Sequence, residues 1–464
     1  MPTRDGLLER LRPAHIMFER PRGTRDFGTA EMARRLHFEN LLEERARRHG
    51  FKRVQTPVFE SLDLFTAKSG PGVVDQLYSF QDKGERDLTL RPELTAPVMR
   101  MIAAERGQMP KPAKLSYFGQ CFRYEEFKSG RYREFFQYGC ELVGATGPLA
   151  EAEVIALAID MLTSSGLQDW ELRIGHVGIT RDILTALGLP SASGGTEEEG
   201  LSEPPIASAL RLLDKGDWDG LGDIFSNHGI ATTAIESLQA LAGLEGGVET
   251  LPAAREILSG MGVGHDSLDE LERLCSALGQ LAPSPPSLKI NLCAARGLDY
   301  YTGMVFEAHV DELGGEGQIL GGGTYRLLHL FNLPDLDPCC GFGLGFDRVL
   351  IALEKQAARL GRGEVVSGEN TGRPTLAVIP LNIEPENYLR LVAELREAGL
   401  VVEMELRQRG VGKSLAWAEN MGATHAIIIG QRDLDSGQVA IKNLKTGDQT
   451  DVGNDCQAIL AEIL

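Results

Sequence analysis

The sequence predicts an α+β core built on an antiparallel sheet, an inserted helical domain, and a C-terminal α/β domain with a mixed sheet. Three observations carry that prediction. FRYEEFKSGRYREFFQYGCELVG, residues 122–144, holds two alternating runs joined by a polar loop, the pattern of a long hairpin. Residues 206–281 show short helical patterns and no strong strand. The last ninety or so residues alternate strand-like and helix-like segments.

The elements follow in order. EMARRLHFENLLEERARRHG (31–50) has apolar residues at helical spacing and a glycine stop, and FKRVQTPVFE (51–60) reads as a strand. QDKGERDLTLRPELTAPVMR (81–100) reads as a turn, a strand DLTLR, and a helix whose first turn carries Pro92 and Glu93. After the hairpin come a helix EAEVIALAIDMLTSSG and a strand ELRIGHVGI. The polar loop SASGGTEEEGLSEPP (191–205) opens the helical region and APSPPSL closes it. KINLCAARG and MVFEAHV are strands, GGG at 321–323 is a turn, and GFGLGFDRVLIALEK passes from strand to helix. TLAVIPL, VVEMEL, HAIIIG and the hairpin QVAIKNLKTGDQTDV are the strands of the last domain, with helices between the first three. The expected domains are a core over 1–180 and 286–355, the helical insertion over 181–285, a linker over 356–373 and the terminal domain over 374–464.

Composition narrows the function. A length of 464 residues suggests about three domains, and 42% hydrophobic with 24% charged residues suits a globular protein. No stretch approaches the roughly 20 apolar residues of a membrane helix, so a cytoplasmic protein is expected. A net charge of -19 argues against holding nucleic acid by bulk charge, though a local basic loop can still grip phosphate. Seven scattered cysteines without C-x-x-C read as reduced, mostly buried thiols.

In a strand, side chains alternate faces. Arg123 therefore shares a face with Glu125, and Phe135, Gln137, Gly139 and Glu141 share one opposite Phe136, Tyr138, Cys140 and Leu142. Taken alone, such alternation fits a solvated sheet face with cross-strand charge pairs better than a ligand site. The surrounding motifs change that balance. PRGTRDF, VQTPVFE, TLRPELTA, the hairpin, RGLDYYTG and GFGLGFDR stand in one order along the chain. In that order the chain resembles the histidyl-tRNA synthetases, which belong to the class II aminoacyl-tRNA synthetases.

The resemblance implies the class II synthetase fold for the core and an anticodon-binding domain at 374–464. It implies that ATP and L-histidine form histidyl-adenylate and that tRNA-His then accepts the histidine. Mg²⁺ is expected with ATP, and a homodimer is expected with Pro57 of VQTPVFE near its two-fold interface. For the nucleotide it assigns Arg123 and Arg296 to the α-phosphate, Arg131 to the γ-phosphate, Glu125 to the adenine amino side and Arg348 to stacking on adenine. Arg123 and Arg296 would thus be catalytic, Arg123 also meeting the histidine carboxylate. For histidine it assigns Glu93, Thr95 and Gln137 to the α-ammonium, Glu141 and Tyr301 to the imidazole, with Tyr300 and Tyr325 beside them and Gly139 leaving room. A carboxylate that attacks phosphorus is already deprotonated, so the chemistry calls for positioning and charge stabilisation, which arginine forks supply. No metal ligand set is legible.

Two features resist the pattern or leave it open. Relatives commonly read G-G-R-Y-D where this chain reads GGGTYR, with Thr324 and Arg326 in place of the charges. Either a neighbour has re-paired or histidine binding has weakened. An alternative is the synthetase-like regulatory subunit of ATP phosphoribosyltransferase, which keeps the core fold without tRNA charging or an anticodon domain.

Overall fold

The computed structural model describes residues 19–69, 71–105, 109–124, 132–191, 204–282, 287–293, 301–361 and 375–464. The chain divides into two compact units, Met1–Gly368 and Glu369–Leu464. Among the described residues no helix is long and apolar enough to cross a membrane.

The first unit opens with helix Thr29–Arg48, which buries Phe38, Leu42 and Ala46 one turn apart on a single stripe. Gly50 ends it at φ 80, with its N–H on the Arg47 carbonyl and the Phe51 N–H on that of Ala46, the double bond of a left-handed helix stop. The strand expected over 51–60 is instead two short ones, β1 Lys52–Arg53 and β2 Phe59–Ser61, in different sheets. Pro57 lies between them and has no N–H to give a ladder. The Thr56 and Pro57 carbonyls accept from the buried Arg91 guanidinium. Strands β3 Ser79–Gln81 and β4 Asp87–Leu90 complete a three-stranded antiparallel sheet with β2. Helix Thr95–Ala104 starts after Pro92 and Glu93, not through them. The Glu93 carboxylate accepts the Thr95 N–H at 2.6 Å and the Ala96 N–H at 3.2 Å, so it satisfies the helix start from outside.

The main sheet holds β5 Ala113–Phe122, β6 Glu134–Val143, β7 Trp170–His176, β8 Ser287–Asn291, β9 Tyr301–Val310, β10 Gln318–Tyr325 and β11 Cys339–Gly345, in the order β1-β5-β6-β11-β10-β9-β7-β8. Every pairing from β5 to β7 is antiparallel. The two outermost pairs, β1 with β5 and β7 with β8, are parallel. A parallel pair needs a long crossover. Between β7 and β8, among the described residues, that crossover carries six α-helices, from Val177–Ala186 to Asp266–Leu281. The strand expected to reach Ile179 stops at His176, where Val177 begins the first of them.

Gly321–Gly323 are not a turn. They lie inside β10, paired with β9 and β11 on either side. A Cβ on Gly322 would fall 2.4 Å from the Gly341 carbonyl and 2.6 Å from the Phe342 Cβ. These glycines serve close strand packing, not chain reversal.

Helices Thr29–Arg48, Pro148–Ser164 and Phe346–Arg359 cover the sheet face that carries Tyr138, Cys140 and Leu142, which are buried there. The opposite face carries Tyr117, Cys121 and Tyr325 and packs against Leu94, Val98 and Met99. All seven cysteines are free thiols, five of them buried.

In the second unit, β12 Thr375–Leu381, β13 Val401–Met404, β14 His425–Gly430, β15 Gln438–Asn443 and β16 Gln449–Gly453 form a sheet ordered β13-β12-β14-β15-β16. The first three are parallel and joined through helices Leu389–Glu397 and Val411–Asn420; the last two are antiparallel.

Candidate active site

A cavity of about 510 Å³ opens on the face that carries Tyr117. It gathers Glu93, Thr95, Arg123, Gln137, Glu141, Tyr301, Tyr325 and Arg348, residues that span more than half the chain. Glu125, Arg131, Arg296 and Tyr300 lie outside the described residues.

One end of the cavity is built around Glu141. Period-two alternation on β6 turns Gln137, Gly139 and Glu141 inward, as the sequence predicts. Glu141 is 1% exposed, and among the described residues no cation pairs with it. Its carboxylate accepts the Tyr117 hydroxyl at 2.7 Å and the Tyr325 hydroxyl at 2.5 Å. Burial raises the Glu141 carboxyl from 4.5 to about 7, against the lowering pull of the Tyr325, Tyr117 and Thr95 hydroxyls. Burial also pushes the Tyr117 hydroxyl well up, helped by the Glu141 charge. Thr95 Oγ1 lies 3.2 Å from the Tyr117 hydroxyl, which extends the network to the helix start.

Two glycines make space for this cluster. Gly341 on β11 pairs with Glu141, and a Cβ there would fall 1.7 Å from Glu141 Oε2. Gly139 does not leave room for a ligand: the Tyr117 ring fills that space, 2.4 Å from where its Cβ would be.

Glu93 forms the next part of the wall. Besides the two amides, its carboxylate meets Lys68 Nζ at 3.2 Å. Gln137 Oε1 accepts from the buried Cys121 thiol at 3.3 Å, and burial drives that thiol up to about 12, so it stays protonated as a donor. Arg123 donates from Nε to the Pro92 carbonyl at 3.0 Å, which ties the end of β5 to the segment that carries Glu93.

The other end of the cavity is braced by Asp347, 3% exposed, at the start of helix Phe346–Arg359. Its Oδ1 accepts from Arg25 at 2.6 Å and Arg35 at 2.7 Å, and its Oδ2 accepts the Phe136 N–H at 2.7 Å. The Arg25 guanidinium sits 3.6 Å from the centre of the Tyr132 ring, and Arg35 packs on Phe27 and Phe136. PRGTRDF, the hairpin and GFGLGFDR thus meet through one carboxylate. Arg348, the next residue, lines the cavity.

The altered GGGTYR segment divides between two faces. Tyr325 reaches Glu141, while Thr324, one residue before it, donates to Glu151 at 2.5 Å on helix Pro148–Ser164. Both partners are buried. The Thr324 departure therefore does not line the cavity, and Arg326 is exposed.

Residues 23–349 match the sequence profile described as Histidyl-tRNA synthetase, and residues 375–455 the one described as Anticodon binding domain. The chain belongs to the histidyl-tRNA synthetase family. It is 41% identical to a histidine–tRNA ligase of Methanoregula boonei over 96% of this chain and 98% of that one. It is 40% identical to one of Archaeoglobus fulgidus over 95% and 98%. The apo histidyl-tRNA synthetase of S. aureus superposes with a TM-score of 0.69 at 26% identity, over 96% of this chain and 100% of that one. The class II fold of the family accounts for the antiparallel sheet, and the anticodon-binding match covers the mixed-sheet unit.

Three site residues escaped the sequence reading. Tyr117 was legible, since it shares strand parity with Cys121 and Arg123. Asp347 is written within GFGLGFDR, but its arginine partners lie more than three hundred residues away in sequence. Lys68 carries no local signal on its short helix Leu62–Ser69.

Among the described residues no group of three or more His, Cys, Asp or Glu side chains is placed to hold a metal ion.

Proposed function

We propose that the chain is a histidine–tRNA ligase: it joins ATP and L-histidine into histidyl-adenylate and passes histidine to the 3′ end of tRNA-His. The observation that carries this reading is the buried Glu141 on the wall of a polar cavity, held by two tyrosine hydroxyls and, among the described residues, by no cation. Such a carboxylate keeps an acceptor site for a ligand N–H, and an imidazole supplies one.

In this reading the amino acid lies along the wall from Glu141 to Arg123. Glu93, the Thr95 hydroxyl and the Gln137 carbonyl accept from its α-ammonium. Tyr301 and Tyr325 flank the imidazole, and Tyr300 belongs to the same group. Arg123 meets the carboxylate and the α-phosphate together, with Arg296 opposite, Arg131 on the γ-phosphate, Glu125 by the adenine and Arg348 on its ring. A carboxylate oxygen of histidine attacks the α-phosphorus, the bond to the bridging oxygen breaks, and pyrophosphate leaves with its electrons. No base takes part. The arginines offset charge on the phosphorus oxygens as it passes through five bonds. A ribose hydroxyl of the tRNA then attacks the acyl carbon and AMP departs. Mg²⁺ would be held by the phosphates of ATP, whose oxygens suit a hard cation, with Glu125 as the carboxylate that would be offered for it.

Residues 375–455, matched by the anticodon-binding profile, give the tRNA a second place to bind, with Arg407, Arg409 and Lys413 as candidate phosphate contacts. That region, and the near-full-length match to ligases, favour this reading over the regulatory subunit. The working form is a homodimer in the cytoplasm, with Pro57 near the interface; a monomer by light scattering at micromolar concentration contradicts the dimer. Histidine-dependent ATP–pyrophosphate exchange, with the other amino acids as controls, followed by charging of tRNA-His, tests the whole. A folded protein without exchange refutes it.

A further inference from the structure

Lys68 is a charged side chain that is only 9% exposed, on the wall of the cavity, and it has no role in the reading above. Lysine is seldom buried so far without a purpose, because desolvating an ammonium is costly unless a carboxylate meets it. Here Nζ meets Glu93 Oε1 at 3.2 Å.

The partners of Glu93 show what that contact does. A carboxylate has about four lone-pair sites. Thr95 N–H takes one on Oε2, the Ala96 N–H is shared between both oxygens at 3.2 and 3.3 Å, and Lys68 takes one on Oε1. That leaves about one site facing the cavity. The amides belong to the start of helix Thr95–Ala104. The lysine comes from a different element, helix Leu62–Ser69, and adds a charged contact on Oε1, the oxygen that the amides hold only through the longer shared Ala96 bond.

We propose that Lys68 is a positioning residue for amino-acid recognition: it locks the Glu93 carboxylate so that one lone pair meets the substrate α-ammonium. It acts through Glu93 and does not touch the substrate carboxylate. The proposal rests on the amino-acid role given to Glu93 above.

The two possible routes, through Glu93 or directly to the substrate, separate with ligands that lack one group. L-Histidinol keeps the ammonium and imidazole but has no carboxylate; imidazole propionate keeps the carboxylate and has no amine. Calorimetric titration of wild type, Lys68→Met and Lys68→Arg with L-histidine and with both analogues is the test. The expected result is that Lys68→Met weakens histidine and histidinol by the same factor, about tenfold, which is the share of one part-buried charge-assisted contact. Imidazole propionate is unchanged, Lys68→Arg restores most of the loss, and in pyrophosphate exchange the histidine KM rises while the KM for ATP stays. Loss for histidine but not histidinol overturns the proposal and makes Lys68 a direct carboxylate contact. Unchanged affinity for both overturns it as well. Failure of wild type to bind histidine refutes the ligase reading instead, and a melting curve on each variant separates misfolding from either result.

Discussion

Glu141 and Asp347 are two buried carboxylates at opposite ends of one cavity, and they differ in what faces them. Asp347 meets two guanidinium groups and a backbone amide. Among the described residues Glu141 meets hydroxyl donors and no cation, and burial raises it to about 7. A carboxylate neutralised by the chain's own arginines is finished before any ligand arrives. One left with neutral donors is incomplete, and the unfolded state would hold it more comfortably in water. On the proposed reading the folded chain thus spends stability where the amino acid binds, around Glu141.

The strongest way to break the contrast is Glu141→Ala. On the proposed reading it removes the acceptor for the imidazole, and it takes one hydrogen-bond partner from each of the Tyr117 and Tyr325 hydroxyls. A site built around a buried polar group discriminates by several powers of ten, so kcat/KM for histidine in pyrophosphate exchange should fall about a thousandfold or more. A fall below tenfold would mean that Glu141 does not read the side chain. Asp347→Asn is the matching change at the other end. It leaves the buried Arg35 and the part-buried Arg25 with one counter-charge fewer, a change that costs about 3–5 kcal/mol. Melting should drop by on the order of 10 °C, kcat should fall, and the histidine KM should hold. A raised histidine KM with unchanged melting would reverse the assignment of the two ends.

The contrast was half legible in the sequence. The inward parity of Gln137 and Glu141 followed from strand alternation, because the period is two and β6 is unbroken. The parity rule also places Thr324 away from the pocket once β10 is known to be a strand. That strand was hidden, since three consecutive glycines read as a turn. Glycine serves both sharp turns and close backbone approach, and only the neighbours, here Phe306, Gly341 and Phe342, decide between them. The start of helix Thr95–Ala104 was placed about three residues early for a similar reason: Pro92 and Glu93 suit a first turn, and Glu93 serves that turn from outside it. Long-range partners such as Arg25 with Asp347 have no sequence period at all.

Gly341→Ala sharpens the comparison from the opposite strand. A methyl there would fall 1.7 Å from Glu141 Oε2 and 2.5 Å from the Cys140 carbonyl, so the carboxylate must turn from its tyrosines. Overpacking of this kind costs about 1–3 kcal/mol. The histidine KM should rise on the order of tenfold to a hundredfold, with the KM for ATP little changed. An unaltered histidine KM would show that the Tyr117–Glu141–Tyr325 arrangement does not set affinity.

The smallest effect is the most direct test of whether Glu141 stores instability. Its folded value of about 7 lies above the ordinary 4.5, so folding binds a proton there that the unfolded chain releases first. Below 4.5 both states carry the proton and the group costs nothing. Between 4.5 and about 7 the cost grows as pH rises, and above 7 it is complete, about 3 kcal/mol at most from a shift of this size. Glu141→Gln removes the titration and keeps the shape. Its stability relative to wild type should therefore be near zero or negative at pH 4.5 and improve by about 1–3 kcal/mol by pH 8, measured by denaturant unfolding without ligand. Saturating histidine should narrow that gap at pH 8, because the bound imidazole gives the wild-type carboxylate the donor it lacks. A gap that stays constant with pH would place the proton elsewhere and make Glu141 as settled as Asp347.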